Sequence, residues 1–205
     1  MTTLLVIAKE PRPGRVKTRL TPPFTPAQAA ALAEAALTDT LLAVARTPAR
    51  RRVLVLDGET GPWLPPGFDV VPQCAGGLDE RLAAAFAGCD GPALLIGMDT
   101  PQVTPDLLTV DFDGIDACFG PAEDGGFWAL GLAAPHPDLL RGVAMSTPAT
   151  GAVQRARLVG AGLRVCDLPR LRDVDTPADA EAVAAMAPHG CFAAELARLR
   201  TAGRR

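Results

Sequence analysis

The chain has 205 residues, 48% of them apolar and 21% charged, proportions that suit a soluble globular fold with a sizeable core and exclude long disordered stretches. A net charge of −3 argues against a surface that tracks a nucleic-acid backbone, where a large positive excess is needed. Met1–Glu10 has only a short apolar run with no basic residue before it, unlike a signal peptide, and no apolar stretch reads as the ~20 residues that span a bilayer.

The expectation is one domain over residues 1–205, cytoplasmic, with neither membrane nor nucleic acid as partner. Five scattered cysteines (Cys74, Cys89, Cys118, Cys166, Cys191) lack disulfide-framework or zinc spacing and read as buried, reduced thiols.

In chain order, short runs rich in Val, Leu and Ile predict buried strands over Leu4–Ala8, Val53–Leu56, Ala93–Gly97, Ala117–Gly120, Phe127–Leu132 and Leu163–Leu168. Helical patterns lie between or after them: Pro26 to about Arg46, with Leu37, Leu41 and Val44 on one face, then Asp79–Gly88, Ala149–Gly160, Pro177–Met186 and Cys191–Arg200. Thr-Pro pairs at 25–26, 104–105, 147–148 and 176–177 mark helix starts, because Thr caps and Pro fills the first helical position without losing a useful donor. Strands alternating with helices predict an α/β fold of three layers, α/β/α, around a mostly parallel sheet. Asp57–Phe68 reads as a surface loop.

Ligands of such sheets bind outside the carboxyl ends of the strands, so the loops after strands are the places to look for chemistry. The first carries Lys9, Arg12, Arg15, Lys17 and Arg19, five cations in eleven residues, and the two lysines in it are the only lysines beside eighteen arginines. A compact ammonium suits phosphate oxygens, and Gly14 permits close backbone approach. A solvated basic loop is the plain alternative, and the Walker A spacing is absent.

Asp99 follows the Ala93–Gly97 strand at once, an expensive place for an unpaired carboxylate unless a divalent metal bridges it to phosphate. Late in the chain, Thr176 and Asp179 form a capping box, which leaves Asp175 and then Asp173, alternate residues of an extended segment that point the same way. Asp175 is the preferred second metal ligand, with Asp173 next. The paired glycines of Glu123-Asp124-Gly125-Gly126 allow a tight turn in which backbone approaches a ligand, with a plain hairpin turn as the alternative. Gln73, Gly76-Gly77 and Arg81 are weaker candidates for base or ribose contacts. Two histidines in loop-like context and no GxGxxG after the first strand disfavour Ser-His-Asp, His-metal and nicotinamide or flavin chemistry.

These motifs, Lys9-x-Pro11-x-x-Gly14-x-x-Lys17-Thr18-Arg19-Leu20, Gly97-x-Asp99-x-Pro101, Gly120-Pro-Ala-x-Asp124-Gly-Gly and Asp173-Val-Asp175-Thr-Pro, resemble over nearly the whole chain a transferase family. It is found beside radical-SAM or selenium-related genes and labelled an arsenosugar-type glycosyltransferase. The resemblance implies the glycosyltransferase-A-like, or nucleotide-diphospho-sugar transferase, fold, whose wider relatives include molybdenum-cofactor and phospholactate guanylyltransferases.

By similarity the first loop would hold phosphates, and Asp99 with a late aspartate would hold Mg²⁺ or Mn²⁺. The expected catalytic residues are Lys17, Asp99 and Asp124. Lys9, Arg12, Gly14, Lys17, Arg19 and Gln73 are expected to bind nucleotide or phosphate. Nucleotidylyl transfer from a nucleoside triphosphate to a small phosphorylated acceptor, releasing pyrophosphate, is the favoured reaction, because five cations suit a triphosphate. Glycosyl transfer from a nucleotide sugar, with Asp124 or Glu123 as base, is the alternative, although the DxD motif usual there is replaced by Asp99-Thr100-Pro101. A non-catalytic nucleotide-binding module is the third.

Overall fold

The structure, a computed structural model, describes residues 1–202. Seven strands, β1 (Thr3–Lys9), β2 (Arg51–Asp57), β3 (Asp69–Pro72), β4 (Ala93–Ile96), β5 (Ala117–Pro121), β6 (Phe127–Leu132) and β7 (Val165–Asp167), form one sheet of order β3-β2-β1-β4-β6-β5-β7. Its pairings are parallel except those of β6, which runs antiparallel to β4 and to β5. The mostly parallel α/β architecture expected from the sequence is therefore present.

Alternation along the strands feeds two cores. Leu4, Val6 and Ala8 of β1 join one cluster with Leu37, Leu41 and Val44 of α1 (Pro26–Arg46). Leu5 of the same strand joins Leu82 and Phe86 of α2 (Leu78–Ala87) and Leu158 of α4 (Thr150–Gly160) on the other face. A short α3 (Pro105–Leu108) precedes β5.

Helix α1 has two apolar sides. The outer one, with Ala29, Leu32 and Ala36, packs against Val183 of α5 (Pro177–Met186) and Phe192 and Leu196 of α6 (Cys191–Ala202). The carboxylate of Asp39 accepts the Cys191 and Phe192 N–H groups, both at 2.8 Å, and so caps α6. By length and composition alone α1 could cross a membrane, contrary to the sequence expectation that no stretch was long or apolar enough. Its apolar side chains, however, serve the sheet on one side and α6 on the other. Truncating the fully buried Leu37 should cost ~2–5 kcal/mol.

Thr25 and Thr176 both start helices, as their Thr-Pro pairs predicted, and both form capping boxes, of which only that of Thr176 with Asp179 was expected from the sequence. Thr147-Pro148 is not a helix start: α4 begins at Thr150 after Ala149. The Thr147 backbone N–H instead donates to Thr150 Oγ1 (3.0 Å). The run Leu163–Leu168 yields strand only over Val165–Asp167. Strand β3 was not foreseen, because all four of its residues are exposed at the sheet edge and its apolar run is only the pair Val70-Val71. Of the cysteines, only Cys118 is buried, while Cys74, Cys166 and Cys191 are exposed.

Candidate active site

The carboxyl ends of β1, β2, β4 and β5 and the start of the antiparallel β6 share one edge of the sheet. A cleft of about 790 Å³ opens there. It sits where β1 lies between β2 and β4 and the connections diverge, the switch point at which open α/β sheets bind ligands.

The loop after β1 enters this cleft through a fixed turn. Val16 is buried in the sheet–α1 core and Leu20 in the α1–α6 core, so the backbone between them is pinned at both ends. Lys17, in the left-handed region at φ 49°, carries its ammonium inward: Nζ lies 2.6 Å from Asp99 Oδ1 and 3.3 Å from Asp175 Oδ1, with the side chain only 7% exposed. Burial alone would lower the Lys17 pKa, but the charges of Asp99 and Asp175 outweigh it and hold the pKa above the usual value. Arg19 reaches the other oxygen of Asp175 at 3.2 Å.

Asp99 stands three residues beyond β4. The Val174 N–H donates to the Asp99 carbonyl (2.9 Å), and the Val174 side chain is buried. Its neighbours Asp173 and Asp175 consequently face the cleft together, as alternation predicted. Their electrostatics differ. Asp173 is pushed up to about 7, first by burial and then by the negative charges of Asp99 and Asp124, with Lys17 offsetting part and Asp175 adding a little. Asp124 lies on the turn between β5 and β6, where its Oδ1 accepts the Gly126 N–H at 2.7 Å.

Of the five cations in the first loop, Lys9 and Arg15 line the cleft and have no carboxylate partner among the described residues. Arg12 and Gly14, expected at the phosphates, do not line it. Arg12 is drawn off by Glu10 (2.6 Å). Gly14 turns the loop at φ 75°, with open space where a side chain would stand, so its role is conformational freedom and not close approach.

Gln73 lines the cleft but is an internal strut: Nε2 donates to the Ala8 and Val55 carbonyls (2.7 and 3.2 Å) and Oε1 accepts from Arg81 (3.1 Å). This leaves no free amide hydrogen aimed at a base, contrary to the sequence expectation. Arg81 also pairs with Asp57 at 3.2 Å.

Whether the residues suit a divalent metal can be tested on the donor set. Among the described residues no three His, Cys, Asp or Glu side chains converge as a ready metal cage. The cleft does offer hard carboxylate oxygens, and at Asp173 negative charge is left uncompensated. That combination fits Mg²⁺ or Mn²⁺, which bind through one or two carboxylates and complete their shell with water and substrate phosphates.

The remaining wall was missed by sequence reasoning. Met145, Ser146, Thr147 and Pro148 line the cleft, with Ser146 at φ 59°. No motif marked the segment, and its Thr-Pro pair imitated a helix start.

Comparisons with known proteins agree with this fold. The chain is similar to a protein from Desulfovibrio desulfuricans G20 provisionally termed a nucleotide-diphospho-sugar transferase, at 28% identity and TM-score 0.77 over 86% of this chain and 84% of that one. The fold also matches CMP:2-keto-3-deoxy-manno-octonic acid synthetase complexed with CTP (12% identity, TM-score 0.58, 92% and 99% covered). A further match is Rv0371c of Mycobacterium tuberculosis H37Rv complexed with manganese (21%, 0.53, 89% and 96%). The fold is thus that of nucleotide-diphospho-sugar transferases. No curated protein matches the chain. The family model described as "uncharacterized protein conserved in bacteria (DUF2064)" matches residues 28–147, more than half of the chain, and the chain belongs to that family.

Proposed function

We propose that the protein is a metal-dependent transferase acting on an activated nucleotide, and that its reaction is nucleotidylyl transfer from a nucleoside triphosphate to a small acceptor with release of pyrophosphate. The observation that carries this is the meeting of Lys17 with Asp99 and Asp175 in one cleft, beside the unpaired Lys9 and Arg15. Cations from the start of the chain and carboxylates from its middle and end converge at the sheet's switch point. The similarity to nucleotide-using transferases of the same fold supports it, as does the resemblance of the motifs to the radical-SAM- and selenium-associated transferases.

Lys9 and Arg15 would meet phosphate oxygens, and Lys17 would hold Asp99 and Asp175 in register with them. Asp173 and Asp99 are best placed to hold the metal: Asp173 has no ion-pair partner among the described residues, and Asp99 shares Lys17 alone, whereas Asp175 is met by both Lys17 and Arg19. A divalent ion held there would supply positive charge beside the phosphates and the leaving group. Binding and charge stabilisation by fixed groups account for most of the rate in such transfers.

One observation favours glycosyl transfer from a nucleotide sugar as the second reading. Arg12, Lys17 and Arg19 are paired within the protein, which leaves two free cations in the loop, a number that matches the two charges of a nucleotide diphosphate sugar. The reactions separate in one assay with Mg²⁺ or Mn²⁺, each nucleoside triphosphate or nucleotide sugar, and a panel of acceptors. Pyrophosphate release marks the first reading, and nucleoside diphosphate release from a sugar donor marks the second. Metal-dependent nucleotide binding without either product leaves a binding module.

A further inference from the structure

Among the described residues two non-glycine residues have positive φ, Lys17 and Ser146, and both line the same cleft. A left-handed backbone is costly for a residue with a side chain and persists where surrounding structure dictates it. Lys17 is explained by its ion pairs. Ser146 is exposed and its hydroxyl makes no hydrogen bond within the described residues, so nothing local accounts for its conformation.

The frame around Ser146 does enforce it. Thr150, almost fully buried, donates from Oγ1 to the Ala144 carbonyl (2.9 Å) and accepts the Thr147 N–H (3.0 Å) on the same oxygen, tying both ends of the turn that Ser146 crowns. The turn is also clamped to the one that carries Asp124: the Gly151 N–H donates to the Gly125 carbonyl at 2.8 Å. A side chain at Gly125 would run into the Pro148 carbonyl, and one at Gly151 into the Gly126 carbonyl. Ser146 and Asp124 are therefore presented to the cleft from two turns locked together.

Charge separates this wall from the one opposite. Lys9 and Arg15 stand on the β1 side. The arginines around the second wall are engaged with other groups: Arg141 with Asp138, Arg155 with Asp167, Arg157 with the Arg141 carbonyl and Arg170 with the Ala122 carbonyl. Arg172, which lines a smaller pocket beside Asp124, is engaged with Glu123, and Arg81, which lines the cleft, with Asp57 and Gln73. What remains is a free hydroxyl, the apolar surfaces of Met145 and Pro148, and a carboxylate.

We infer that the wall formed by Met145–Pro148 and Asp124 is the acceptor subsite, that Ser146 hydrogen-bonds the acceptor, and that the acceptor is an uncharged, hydroxyl-bearing molecule and not the phosphorylated one expected from the sequence. The inference rests on the transferase reading but holds for either reaction. In nucleotidylyl transfer the acceptor hydroxyl oxygen bonds to the α-phosphorus, the bond from that phosphorus to pyrophosphate breaks, and the hydroxyl proton passes to Asp124. In glycosyl transfer the same oxygen bonds to the anomeric carbon, the bond to the diphosphate breaks, and the proton goes to the same carboxylate. The second oxygen of Asp124 makes no hydrogen bond among the described residues and is open to receive it.

The test uses the full chain with Mn²⁺ and Ser146→Gly, which removes the hydroxyl and the conformational cost together and so keeps the fold. First, the affinity of each nucleoside triphosphate and nucleotide sugar is measured by calorimetry for wild type and variant. Second, with the best donor, product formation is followed against neutral sugars and polyols and against their monophosphates.

The expected result is turnover with neutral acceptors, an acceptor KM raised about tenfold in Ser146→Gly, and a donor Kd within twofold of wild type. Turnover confined to the monophosphates, no turnover with any neutral acceptor, or an unchanged acceptor KM in the variant would each overturn the inference. If wild type binds no donor in the presence of metal, the transferase reading itself fails, an outcome distinct from the others.

Discussion

Two pairs of carboxylates share the cleft and are treated differently by the rest of the chain. Asp99 and Asp175 share a buried ammonium, and Asp175 also meets Arg19, so much of their charge is met before any ligand arrives. Asp173 and Asp124 have no ion-pair partner among the described residues, and Asp173 is pushed up to about 7, first by burial and then by the negative charges of Asp99 and Asp124. The difference separates two jobs. The paired carboxylates join the first loop to the later ones, whereas Asp173 retains an unmet demand for positive charge that a cation from solution, shared with Asp99, can satisfy.

Breaking the balanced side should have the largest effect. Lys17→Ala would leave Asp99, Asp173 and Asp175 crowded without their buried counterion, so turnover should fall by roughly 10²–10³-fold, the scale on which removing one preorganised electrostatic contact acts. Stability should fall as well, by roughly 2 kcal/mol in a denaturant titration: less than a fully buried pair would lose, because both aspartates are partly exposed to water. Wild-type activity in this variant would remove Lys17 from the machinery.

Removing the demand on the other side should act oppositely on stability. Between its ordinary value of 3.8 and about 7, Asp173 takes up a proton in the folded chain that the unfolded chain does not bind. The group therefore destabilises the fold increasingly as pH rises through that window, fully so above it. Asp173→Asn should melt a few degrees higher than wild type at pH 8 and no higher near pH 4. Mn²⁺ should raise the melting temperature of wild type at pH 8 and not that of the variant. Equal shifts at both pH values would show that Asp173 carries no such burden.

The free cations should matter to ligand and not to fold. Lys9→Ala and Arg15→Ala remove side chains that pair with no carboxylate among the described residues, so melting temperatures should stay within about a degree. Nucleotide KM should rise about tenfold, since a charge-assisted phosphate contact is worth roughly 1.5–3 kcal/mol. An unchanged KM in both would make the loop a solvated basic surface.

What the sequence revealed tracks how locally each feature is determined. The buried strands and long helices announce themselves through periodicity, and the convergence of Lys17, Asp99 and Asp175 follows from placing loops at one sheet edge. The direction of β6 is not visible, because a buried strand shows the same apolar run whichever way it points. Strand β3 is set by its pairing with β2, since its apolar signal is only the exposed pair Val70-Val71. Which cations remain free is likewise a tertiary fact: Arg12 and Arg15 lie three residues apart, yet only Arg12 meets a carboxylate, that of Glu10. Ser146 is least legible of all, since its conformation is imposed by Thr150 and by a glycine turn about twenty residues earlier in the chain.

Gln73 offers the finest discrimination, because its position allowed a nucleotide contact while its hydrogen bonds describe a strut between β1, β2 and Arg81. A strut and a base reader respond differently to Gln73→Ala. Loss of the strut leaves the Ala8 and Val55 carbonyls without their side-chain donor and frees Arg81, at a cost of about 1–2 kcal/mol in stability. With an intact cleft, turnover should change less than about twofold and equally for purine and pyrimidine nucleotides. A base reader would leave stability nearly untouched and alter KM for one base more than for the others, because an unmade hydrogen bond to a polar ligand edge discriminates strongly between bases. Measuring melting temperature and KM across four nucleotides in the one variant therefore decides whether this residue belongs to the walls of the cleft or to its ligand.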